Sequence, residues 1–127
     1  GYGARLDYRV IGVGINLTGE PDLSRLEPGA TPPITLAQVL GRPVARDDML
    51  AALAAAFARW DATFTVQGFA PIRSAWLARA ARLGDVITAR TSRDSHQGTF
   101  ETLDETGNLV LRTATGPLAI SAADVFF

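Results

Sequence analysis

From Gly84 onward the apolar residues stop recurring at helical spacing and begin to alternate every second position, and this change of period constrains the fold more than any other feature. Candidate strands follow at 85–90, 98–103, 109–113 and 118–120. Glu105-Thr106-Gly107-Asn108 and Thr115-Gly116-Pro117 separate them with turn chemistry suited to antiparallel neighbours. The stretch before Gly84 reads differently. Met49, Leu53, Phe57, Trp60 and Phe64 lie on one face of an amphipathic helix that Asp47 can cap and Gly68 ends. Pro71 suits the first turn of a further helix carrying Ala75 and Trp76. Helices followed by a run of strands give an α+β chain with two units, 1–82 and 83–127. The second is small, so it should lean on the helices before it.

With 127 residues and 47% hydrophobic content the chain can build a core. Twelve basic and thirteen acidic side chains leave a net charge of −1, so no global field draws in nucleic acid or an anionic membrane. Without cysteine there is neither a disulfide framework nor a thiolate metal site, and a single His argues against a protein-only transition-metal site. The longest apolar stretch, Met49 to Phe57, is too short to cross a bilayer. No membrane partner is expected, and the cytosol fits the composition. The opening Gly1-Tyr2-Gly3-Ala4-Arg5-Leu6-Asp7, which runs into a strand pattern without a Met, reads as part of something longer.

Tyr8 to Leu17 is a β-branched run interrupted by Gly12 and Gly14, expected as a central strand. Glycine inside a strand removes packing and is tolerated where a ligand or another backbone approaches closely. Asn16 at its end offers one acceptor and two donors, enough to orient a phosphate, a hydroxyl or a hydrated metal ion. A bulge at the glycines with Asn16 as a turn residue is the other reading. A dinucleotide fingerprint is excluded, because the third glycine and its helix are missing. The proline-rich segment 18–33 is expected as a long loop, with a short helix from Ile34 to Leu40 stopped by Gly41.

The strand Val10-Ile11-Gly12-Val13-Gly14-Ile15-Asn16-Leu17 resembles that of the biotin protein ligases, and the other motifs follow in that family's order. Ile34-Thr35-Leu36 with Leu40-Gly41, Phe57-Ala58-Arg59-Trp60, Gly68 to Arg73, and Trp76-Leu77-Ala78 are similar to its later segments. So are Gly98-Thr99-Phe100, Leu103 to Leu111, and the closing Ser121 to Phe126, with Ala123 standing where the family has Gly. Pro32-Pro33 precede Ile34, where some members carry a tryptophan over the adenine.

The resemblance implies the end of a ligase catalytic domain (1–82) followed by a small all-β barrel of the Src-homology type (83–127). It implies that Gly12, Val13 and Gly14 wall the biotin site, that Asn16, Ile34 and Thr35 lie at the adenylate, and that Asn16 reaches Mg²⁺ through water. Biotin and ATP would be the substrates and a biotin carboxyl carrier protein the acceptor, with a homodimer as a candidate assembly. In that family a glycine- and arginine-rich loop and a lysine N-terminal to this strand stabilise the reacting phosphate. Neither occurs here, and all twelve basic residues are arginine, so no catalytic residue is assigned and the chain alone is expected to be inactive. A lipoate-type ligase and a non-catalytic binding module of the same fold are the alternatives.

Other polar residues have plainer expectations. His96 reads as an exposed turn residue, and Asp47 and Asp48 as helix-start carboxylates. Trp60 and Trp76 read as core, while Arg73, Arg79, Arg82, Arg90 and Arg93 read as a solvated face with contact to an acidic carrier as the sharper alternative.

Overall fold

The computed structural model describes residues 8–121 and 123–126; the Gly1–Asp7 opening and Ala122 of the closing motif lie outside them. Five strands form one antiparallel sheet: β1 (Val86–Arg90), β2 (Ser95–Leu103), β3 (Leu109–Thr113), β4 (Gly116–Ile120) and β5 (Asp124–Phe126), in the order β4-β3-β2-β1-β5. The two-residue period places Ile87, Ala89, Phe100, Leu111 and Ile120 on one buried face, where Ala80, Leu109 and Leu118 join them. Glu101 is the extra residue of a β-bulge, since Phe100 pairs with Leu111 while Thr102 pairs with Val110. Gly98 is required by close approach, because a Cβ there would meet the Arg112 carbonyl oxygen at 2.7 Å. Pro117 is tolerated because β4 is an edge strand.

Two expectations in this sheet are corrected. His96 is no turn residue: it sits in β2 opposite Ala89 and is half-buried, because β2 begins three residues before Gly98. Gly116 and Pro117 belong to β4, so the connection after β3 tightens to Ala114-Thr115.

Three helices precede the sheet: α1 (Leu36–Leu40), α2 (Arg46–Gln67) and α3 (Ala70–Leu77). Helix α1 starts with a capping box, in which Thr35 Oγ1 accepts from the Gln38 N–H and the Gln38 side chain accepts from the Thr35 N–H. Gly41 ends it in the left-handed region at φ 68°. In α2 the cap position falls on Ala45, so Asp47 does not cap; Asp47 and Asp48 lie in the first turn, where the helix dipole favours them. Pro71 sits in the opening turn of α3, as its fixed φ predicts.

Helix α2 buries none of its residues, and Trp60 and Trp76 remain 44% and 48% exposed rather than forming core. Arg9, Ile11 and Val13 face α2 across one cleft, and α3 faces it across another. By length and composition alone α2 is long and apolar enough to cross a membrane, which the shorter Met49–Phe57 stretch did not suggest. It carries Arg59 and Asp61 just past its midpoint, and charges at that depth are costly in hydrocarbon.

One face of α3 docks on the sheet through residues at helical spacing. Phe69, just before it, lies 3.4 Å from where a Cβ on Gly107 would stand. Arg73 donates to the Leu103 carbonyl and the Thr102 hydroxyl, and Trp76 meets Phe100 edge-on at 6.1 Å.

Candidate functional site

Residues 8–17 approach α1 and α2 without becoming a strand. The expected central strand is unpaired because no other described segment runs alongside it. Only its end is tied down: the carbonyls of Asn16 and Leu17 accept from the Leu36 and Ala37 amides at 2.8 and 3.0 Å. These bonds satisfy N-terminal donors of α1 that have no partner within the helix.

The alternation of side chains divides this segment into two faces. Arg9, Ile11 and Val13 line a cleft of about 310 Å³ with Leu50, Leu53, Ala54 and Phe57 of α2. By the two-residue period Gly12, Gly14 and Asn16 belong to the opposite face. A Cβ at Gly12 or Gly14 would have nothing within 4 Å, so the space over the glycines is open. Val13 therefore stands apart from Gly12 and Gly14 and can offer a ligand on their side only backbone atoms.

The Asn16–Leu36 bond brings the two sequence-predicted clusters together, Gly12 to Asn16 and Ile34 with Thr35. Ile34 is 61% exposed and free to cover a flat ligand. Thr35 is 2% exposed, and its hydroxyl is engaged with Gln38 from both sides at the start of α1. The Asn16 side chain is exposed.

Sequence reasoning missed a second cleft, of about 470 Å³, where Gly19, Glu20 and Arg42 meet Thr35, Gln38 and Gly41. The T-x-x-Q spacing of the capping box was legible there. Nothing in the sequence tied Glu20 or Arg42 to it, since a turn brings them in. Segment 18–33 is irregular apart from one 3-10 turn at Leu23–Arg25, which Asp22 caps through the Ser24 N–H. The Ser24 hydroxyl and N–H hold the Asp22 carboxyl below its ordinary range.

Of the arginines expected as a patch, Arg73 is engaged with β2 and Arg79 lines a groove of about 370 Å³ with Trp60, Ile72, Ala75 and Trp76. Arg82 pairs with Asp85 at 3.3 Å. Among the described residues no group of three or more His, Cys, Asp or Glu could hold a metal ion.

Residues 83–127 match the family described as biotin protein ligase C terminal domain. All 127 residues align, at 49% identity, with the biotin–[acetyl-CoA-carboxylase] ligase of Paracoccus denitrificans. The chain is thus similar to the biotin protein ligases along its whole length. It spans 53% of the Paracoccus ligase and 35% of the bifunctional ligase/repressor BirA of Bacillus subtilis (strain 168), to which it is 29% identical over 118 residues. The fold is that of the apo biotin protein ligase from Aquifex aeolicus, with a TM-score of 0.76 and 18% identity over 87% of this chain and 49% of that one. The Aquifex ligase in complex with biotin and ATP superposes with a TM-score of 0.73.

Proposed function

We propose that the protein containing this chain activates biotin with ATP to biotinoyl-adenylate and pyrophosphate, then transfers biotin to a lysine of a carboxylase carrier protein. The 49% identity to a biotin–[acetyl-CoA-carboxylase] ligase along the whole chain carries this reading. The bare face of Gly12 and Gly14 supports it, because a flat bicyclic ligand with an acyl-nucleotide tail needs a wall without side chains. In this reading Gly12, Gly14 and the backbone of Val13 wall the biotin, Asn16 contacts the adenylate phosphate, and Ile34 covers the nucleotide while Thr35 fixes the turn beneath it. Loop 18–33, with little regular structure, closes over the nucleotide and keeps water from the mixed anhydride. Residues 1–82 act as the end of the catalytic unit and 83–127 as a separate β unit, and the reaction takes place in the cytosol.

The groups fitting a Mg²⁺ ion are sparse: one amide oxygen at Asn16 and no carboxylate cluster among the described residues. A metal here would be held chiefly by nucleotide phosphates and its own waters, so this chain does not itself fit a Mg²⁺ site. The chain assigns no acid, base or nucleophile of its own. Its residues bind and orient, and the amine that attacks the acyl carbon comes from the carrier.

The test is biotin- and ATP-dependent release of pyrophosphate by the complete protein, followed by mass spectrometry of a carboxyl carrier protein. One biotinylated carrier lysine is the expected result. Absence of biotin-dependent pyrophosphate release overturns the proposal.

A further inference from the structure

The first three amides of α1 are all engaged. Leu36 and Ala37 donate to the Asn16 and Leu17 carbonyls, and Gln38 donates to Thr35 Oγ1 at 3.3 Å. Donors that a longer helix could offer to an anion here grip another segment instead. Among the described residues, no other backbone bond between segments holds residues 8–17. Because Asn16 and Ile34 are both exposed, side-chain packing does not fix where they stand, and the clamp does. Little stands behind that clamp, since α1 is five residues long, buries none of them and is too short to persist by helix propensity. One side chain secures its start: Gln38 Oε1 accepts from the Thr35 N–H at 2.9 Å and from the Thr35 hydroxyl at 3.1 Å.

We propose that Gln38 is a positioning residue for the nucleotide end of the site. By locking Thr35 it keeps the Leu36 and Ala37 amides on the carbonyls of Asn16 and Leu17, and so holds the Asn16 amide and the Ile34 side chain at one spacing. Gln38 acts through Thr35 and not on the ligand, because its Oε1 is occupied by both Thr35 donors. The inference rests on the adenylate roles proposed above for Asn16 and Ile34. The competing reading is a direct ligand contact from Gln38 Nε2, which has no partner among the described residues and lies on the cleft with Glu20 and Arg42. Two substitutions separate the readings. Gln38→Met removes the acceptor and the Nε2 donors together, whereas Gln38→Glu removes only the donors and keeps the acceptor that a capping box needs.

The experiment uses the complete protein, at an ionic strength that screens an added exposed charge. Hydrogen exchange with mass spectrometry follows the peptide covering 34–41, pyrophosphate release gives KM for ATP, and calorimetry gives biotin affinity without nucleotide. In Gln38→Met, exchange of that peptide should quicken and KM for ATP should rise, each by about tenfold, while biotin affinity stays within about twofold. Gln38→Glu should restore both wild-type values. Four results overturn the proposal: unchanged exchange in Gln38→Met, faster exchange with unchanged KM for ATP, an equal loss of biotin affinity, or a Gln38→Glu protein with a closed clamp and a raised KM. If the wild-type protein releases no pyrophosphate with biotin, the ligase reading falls and takes this inference with it; a working wild type with an unaffected Gln38→Met overturns the inference alone.

Discussion

The Arg73 Nε donates to the Leu103 carbonyl oxygen at 2.7 Å, joining α3 to the last residue of β2 across thirty positions of sequence. The same guanidinium reaches Thr102 Oγ1 at 3.3 Å, just beyond the β-bulge at Glu101, where strand pairing leaves groups to be satisfied. Arg73→Leu removes both charge-assisted bonds and leaves the Leu103 carbonyl with the Thr102 hydroxyl alone, at a cost of about 1–3 kcal/mol. Urea denaturation should show a lower midpoint with an unchanged slope. An unaltered midpoint would mean that solvent replaces the guanidinium without loss.

Phe100 is buried and meets Trp76 edge-on, so it belongs at once to the sheet's core and to the α3 seam. Phe100→Ala should destabilise by about 3–5 kcal/mol, and Trp76→Ala by less because half of that ring is already in water. Near-UV circular dichroism should lose the Trp76 signal in both variants. A Phe100→Ala protein with native signal and midpoint would contradict the packing.

Glycines separate by what surrounds them. At Gly98 a Cβ would press on the Arg112 backbone, so Gly98→Ala should lower stability by about 1–3 kcal/mol. At Gly12 and Gly14 there is room, so Gly12→Val should leave the melting temperature of this chain unchanged. In the complete protein the same change should weaken binding of biotin and of biotinoyl-adenylate. Calorimetric titration reads that difference, and unaltered affinity would remove Gly12 from the site.

Asn16→Ala in the complete protein should slow pyrophosphate release more than it weakens biotin binding, since we propose that the amide contacts the phosphate end of the ligand. Equal effects on both would reject that assignment.

The Asp104 carboxyl gathers the Asn108 side chain first, then the Asn108 N–H and both donors of Thr106, and its pKa falls from 3.8 to about 2. A carboxyl with a lowered folded-state pKa contributes stability above pH 3.8 and loses it as pH falls toward 2. Melting temperature should therefore drop between about pH 4 and pH 2, and Asp104→Asn should flatten that part of the curve while lowering the plateau above it. Superimposable pH curves would show that the turn does not titrate with folding.

What the sequence made legible were features written in local spacing. Period two after Gly84 located four of the five strands, Gly41 and Gly68 ended α1 and α2, and the glycine-interrupted run 10–17 pointed to an open face. Two readings went astray because they depend on what lies opposite a residue. His96 was expected in a turn because Asp94, Ser95 and Gln97 are polar, yet pairing with β1 extends β2 through it. Trp60 and Trp76 were expected in a core that the described residues do not supply.

The two-faced run of residues 9–16 also makes indels there doubly harmful. Inserting or deleting one residue would exchange the sides, turning branched side chains toward the bare wall and glycines toward the helix. Anchorage would fail and the recess would fill in a single step. This stretch should therefore tolerate point substitutions on its Ile11 side far better than any change in its length.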